Sequence, residues 1–166
     1  MELEDAVMAK LTVTGIDTFT SQLTRLASEA EKINRGALGE GAGYVAEQIG
    51  DAIDSIPVRD ESTHPHKLYG ATANELSQIK NNFGIAKFRS SGGKTETSIG
   101  FTGYVDTPSA KFNDHIPTGM LVQCIEYGTE FRQPTHTLSR AIKAVKGQAP
   151  QKMQDYIDKE VGKIMK

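Results

Sequence analysis

The sequence predicts an α+β domain: a small antiparallel sheet with helices packed on one side, joined by long polar loops. Three observations lead there. Apolar residues recur at helical spacing across residues 17–55 and again across 137–165. Alternating residues on either side of Ser90-Ser91-Gly92-Gly93 read as a β-hairpin. Residues 57–70 and 106–118 have no period and many breakers, so they read as long loops. The chain of 166 residues suits a single domain spanning 1–166. Its apolar share of 37%, its 16 glycines and its lack of tryptophan predict a small core stabilised partly by neighbours.

Taken in order, residues 10–15 alternate Leu11, Val13 and polar partners, which predicts a short strand. Asp17 or Thr18 then suits a helix cap. Phe19, Leu23, Leu26, Ala27, Ala30 and Ile33 form one apolar stripe, with Gly36 as the expected stop. A second helix is expected over about 37–55, with Leu38, Ala42, Val45, Ala46, Ile49, Ala52 and Ile53 inward. Its Gly39, Gly41, Gly43 and Gly50 each cost up to about 1 kcal/mol against alanine. They predict close packing against a sheet or a neighbouring subunit. Pro57 ends that helix.

A short helix is expected at 72–80. Phe83, Ile85 and Phe88 open the hairpin, and residues 94–104 return through Thr95, Thr97, Ile99 and Phe101. The apolar run over 120–127 reads as a short buried helix that carries the lone cysteine, Cys124, as a small hydrophobe. Residues 137–145 form a helix with Leu138, Ala141, Ile142 and Val145 inward. Pro150 opens the last helix, whose stripe is Met153, Tyr156, Ile157, Val161, Ile164 and Met165.

Net charge is −2, so the surface as a whole is no polyanion binder. Residues 1–61 hold twelve acids and five bases, whereas 140–166 hold three acids and seven bases. Two solvated helix faces would explain this. So would an acidic part of one subunit meeting the basic end of the next. With one cysteine no intrachain disulfide forms. The acidic start Met1-Glu2-Leu3-Glu4-Asp5 is unlike a secretory signal, and no apolar run approaches the roughly 20 residues of a membrane span. Synthesis in a reducing cytoplasm is expected.

Candidate chemistry is sparse. Gly39-x-Gly41-x-Gly43 follows no strand and lacks the spacing of a nucleotide-binding loop. His64-x-His66 is the best metal candidate, with His115 or His136 as a third ligand, although a zinc site needs three or four fixed ligands. Asp51, Asp54, Asp60 and Glu61 are paired carboxylates only if a dry cleft separates their pKa values. Lys87-Phe88-Arg89 is the one close pairing of bases with an aromatic, too few charges for phosphate binding of note. No catalytic residue, cofactor site or metal site is assigned, and the expectation is a protein that is not an enzyme.

The segment Ile125-Glu126-Tyr127-Gly128-Thr129-Glu130 resembles the V-E-[FY]-G-T stretch of the tail-completion and head–tail joining proteins of long-tailed bacteriophages. Gly15-Ile16-Asp17 matches their G-[LIV]-[DE] element, and Ile56-Pro57-Val58 their proline-marked turn. Pro134-Thr135-His136-Thr137-Leu138-Ser139-Arg140-Ala141 stands where a proline-containing segment precedes their C-terminal helix. The likeness covers residues 10–160 mostly as an order of elements. It departs at 57–76, where an insertion replaces a P-x-D-T-G-x-L element and Glu75-Leu76-Ser77-Gln78-Ile79 is the nearest echo, and at the enlarged loop 106–118. The resemblance implies a structural virion protein of the neck, with no cofactor. Its partners would be its own copies in a closed, hexameric ring, the tail tube or terminator protein, and the head connector. DNA would pass through the bore unbound, and no membrane would be involved. A tail terminator that stops tube growth shares the same pattern. Glu126, Tyr127, Gly128 and Thr129 are the candidate assembly residues, with a fold-holding turn as the plain alternative: Gly128 permits a positive φ, and a buried Glu126 needs a donor.

Overall fold

In the computed structural model, residues 15–60, 67–107, 113 and 115–166 are described. The expected strand at 10–15 and the pair His64 and His66 lie outside them, apart from Gly15, which precedes the first helix with φ of 90°.

The α+β class holds. The first two expected helices are one: α1 runs unbroken over Ile16–Asp54. Gly36 does not stop it, because a helical stop needs an alternative partner for the last carbonyls, and here the stripe simply continues through buried Ala37, Gly41 and Ala42. The glycines serve packing instead. A Cβ on Gly41 would lie 2.6 Å from Met153 Cγ, and one on Gly36 would overlap the Tyr156 ring. Both neighbours belong to α5, Gln148–Ile164, which packs antiparallel along α1. The small residues thus seat a helix of the same chain.

After Pro57 the chain forms short strands: β1 Val58–Arg59, β2 Leu68–Tyr69 and β3 Ala71–Thr72, with β1 and β3 paired in parallel. α2, Ala73–Asn81, follows with a full capping box between Thr72 and Glu75. The hairpin is present in two parts. β4 Phe83–Ile85 pairs with β7 Ile99–Phe101, and β5 Arg89–Ser91 pairs with β6 Lys94–Glu96 around Gly92-Gly93. Three residues, 86–88, oppose two, 97–98, so a bulge separates the parts. The ends of the expected loop at 106–118 are strand: β8 Tyr104–Asp106 pairs with β9 His115–Pro117. α3 Thr118–Tyr127, β10 Arg132–Gln133 paired with β2, and α4 Thr137–Val145 complete the order. Among the described residues the strands form five two-stranded pairs, three antiparallel and two parallel.

One core joins the C-terminal third of α1 to α2, α3 and α4. Ile53, Ile56, Ile79, Val105 and Ile125 are its most enclosed large side chains. Leu138 and Val145 of α4 point inward as expected, but Ile142 is 50% exposed.

Candidate functional site

Residues 125–129 close α3 and return the chain toward α4. Gly128 has φ of 78°, and a Cβ there would come within 2.8 Å of Arg132 O, so glycine is required on both counts. The return is tied down by backbone bonds. Thr135 N donates to Ile125 O at 3.0 Å, His136 N to Glu126 O at 3.2 Å, and Thr129 and Arg132 form an antiparallel bridge.

Glu126 is buried, and its carboxylate faces the start of α4. That helix begins after His136, which has a left-handed backbone and offers no side-chain cap. Glu126 supplies the missing acceptor from another helix. Leu138 N donates to one oxygen at 3.0 Å, while Ser139 N, at 2.8 Å, and Ser139 Oγ donate to the other. These are the orphan N–H groups of a helix N-terminus, where the dipole also favours negative charge. Burial alone would raise the Glu126 pKa. The Ser139 side-chain and backbone bonds, the Leu138 bond and the positive potential of His136 together outweigh it and hold the carboxyl below its usual value.

A second buried glutamate performs the same duty. Glu75 receives Thr72 N at 2.9 Å at the start of its own helix, and Thr107 Oγ at 2.9 Å. Arg59 and Arg132 approach it at 3.5 and 3.7 Å. Arg132 also donates to Gly70 O. Burial pushes the Arg132 guanidinium down from its ordinary pKa while Glu75 opposes this, and arginine stays charged at such shifts. The ends of α2, β1, β8 and β10 therefore meet on one carboxylate. The helix at 72–80 was expected without its cap, although the Thr72-x-x-Glu75 spacing carries that signal. The two arginines carry no local signal, since they lie 16 residues before and 57 after Glu75.

Of the four sequence candidates, Glu126, Gly128 and, through its bridge to Arg132, the exposed Thr129 are engaged within the chain, whereas Tyr127 presents its ring at 67% exposure. Tyr127 stands edge-on to His136 with centroids 6.5 Å apart. The structure adds exposed apolar side chains that pattern alone assigned to a core: Phe19 at 52% and Leu23 at 44%.

The chemical candidates are scattered. His115 Nδ1 pairs with Asp106 at 2.7 Å on the surface, far in role from His136 at the head of α4. No group of three metal-ligating side chains occurs among the described residues. Asp54 pairs with Lys80, and Asp51 is exposed. Gly39, Gly41 and Gly43 lie mid-helix, where their N–H groups are already used. Arg35 lies over the Phe88 ring at 5.7 Å, so that aromatic face is occupied. Cys124 is a half-buried free thiol on α3. No described helix is long and apolar enough to cross a membrane. Compared with family models, curated proteins and solved structures, the chain has no match.

Proposed function

We propose that this chain is a structural subunit of a tailed-bacteriophage neck, a tail-completion or head–tail joining protein that closes into a ring between tail tube and head connector. The reading assigns it no reaction. The observation that carries it is a contrast in finish. The buried carboxylates have several donors each, while the first half of a 39-residue helix leaves Ile16, Phe19 and Leu23 in water. A rigid helix with an uncovered apolar ridge is a feature of a part that completes itself by assembly. The likeness of residues 125–129 to the neck-protein motif supplies which assembly. The slight net acidity suits a bore through which DNA must slide.

The test is imaging of particles from a phage lacking this chain, with purified protein added back. Full heads and free tails that join on addition are expected. Overlong tail tubes would identify a terminator instead. Intact infectious particles would overturn the proposal and return attention to His64 and His66. A double His64→Ala, His66→Ala variant compared for bound metal would then decide that reading.

A further inference from the structure

The apolar stripe of α1 has two halves. From Ile33 onward it is buried, beneath α5 and the core. The pairs Gly41 with Met153 and Gly36 with Tyr156 show α5 running back along α1, and α5 ends at Ile164. Before Ile33 the same stripe passes half-buried Leu26 and continues through Leu23, Phe19 and Ile16, which are exposed among the described residues. Those first 17 residues of α1 span about 25 Å.

At the other end of the molecule is an apolar cleft of 310 Å³ between the β4–β7 pair, α3 and α4. Phe83, Phe101, Val122, Leu138 and Ile142 line it, Ile49 of α1 forms its floor, and Tyr127 stands at its rim. Ile142 and Tyr127 are the exposed apolar side chains there. Glu126 and Ser139 also border the cleft, but they are bonded to each other.

Ridge and cleft cannot meet within one chain. Leu23 and Ile49 are 26 residues apart on one unbroken helix, about 39 Å at about 1.5 Å per residue. Their charges are opposite. Residues 16–32 hold Asp17, Glu29 and Glu31 against Arg25 and Lys32, a net of −1, whereas α4 and its C-cap hold Arg140, Lys143 and Lys146 with no acid. Lys146 follows Ile142 by four residues, about one turn, and so lies on the same side of α4.

From this we infer that the occupant of the cleft is a second copy of this chain, which seats Phe19 and Leu23 of its α1 against Phe101, Val122, Tyr127 and Ile142. The contact is head-to-tail, since the two surfaces differ, and repetition closes a ring or continues as a filament. Opposite charge at the rim sets its direction. The inference rests on the ring-subunit reading above and specifies the surface that builds the ring.

Paired cysteines test it. In a Cys124→Ser background, Leu23→Cys and Ile142→Cys proteins are mixed at about 1 mM, enough to populate a contact of millimolar affinity, with oxidised glutathione as the oxidant. A mixed disulfide dimer should form at least about tenfold faster than either protein pairs with itself, or than Leu23→Cys pairs with an exposed Glu47→Cys control; a tenfold rate corresponds to about 1.4 kcal/mol. Faster pairing of Leu23→Cys with itself would replace the cleft by a symmetric helix pair. Pairing no faster than the control would remove the contact, including the case in which the chain's own residues 1–14 cover the ridge. Joining of heads to tails by wild-type protein, with no ridge–cleft pairing of the cysteine variants, would leave the neck reading standing and sink this inference. Pairing without joining would do the reverse.

Discussion

The two ends of α1 obey different rules. At the C-terminal end, Ile49 and Ile53 are buried, and the nearby helices begin on buried carboxylates. At the N-terminal end, side chains of the same kind, on the same helical stripe, stand in water. Propensity and pattern are alike at both ends, so what differs is the presence of a partner element. Apolar periodicity says which face of a helix wants cover. It does not say whether the cover is the same chain or another.

Changes at the finished end should therefore cost stability. The largest loss is expected for Glu75→Leu, which leaves Arg132 buried without its counter-charge and removes the acceptor of the Thr72 N–H, about 3–5 kcal/mol by urea denaturation. Glu126→Ala should cost about 3 kcal/mol, because the Leu138 and Ser139 N–H groups lose their acceptor. Gly128→Ala should cost about 2 kcal/mol from the forced positive φ and the contact with Arg132 O. Phe19→Asp and Leu23→Asp, at the unfinished end, should each shift stability by no more than about 0.5 kcal/mol. A loss of about 2 kcal/mol or more at Phe19 would break the comparison, since it would place that ridge within the folded core.

Acid sharpens the same contrast. The folded-state pKa of Glu126 lies below its unfolded value, near 4.5. Its contribution is then fully present above pH 4.5 and is lost as pH falls through the lower folded value. The gap in urea midpoint between wild type and Glu126→Gln should be wide at neutral pH and narrow progressively in acid. A gap independent of pH would mean that the carboxylate charge contributes nothing to the cap.

How much of this was legible in the sequence follows from range. Local signals succeeded: the helix at 72–80, the Gly92-Gly93 turn, the span of α4 and the helical reading of α3 all depend on neighbours within a few residues. Long-range effects were hidden. Gly36 reads locally as a helix stop, yet Tyr156, 120 residues later, makes it a packing notch. Glu126 and its turn were singled out by a motif, and the requirement that a buried carboxylate find donors was foreseeable. That the donors would be another helix's first turn was not. Ile142 was expected inward from its spacing with Leu138 and Val145, but among the described residues it is left 50% exposed.

The most direct test of the division is the double variant Phe19→Asp, Leu23→Asp in the add-back assay, after its urea midpoint has been matched to wild type. The expected result is a fully folded protein that leaves heads and tails unjoined. A folded double variant that joins them as well as wild type would contradict it.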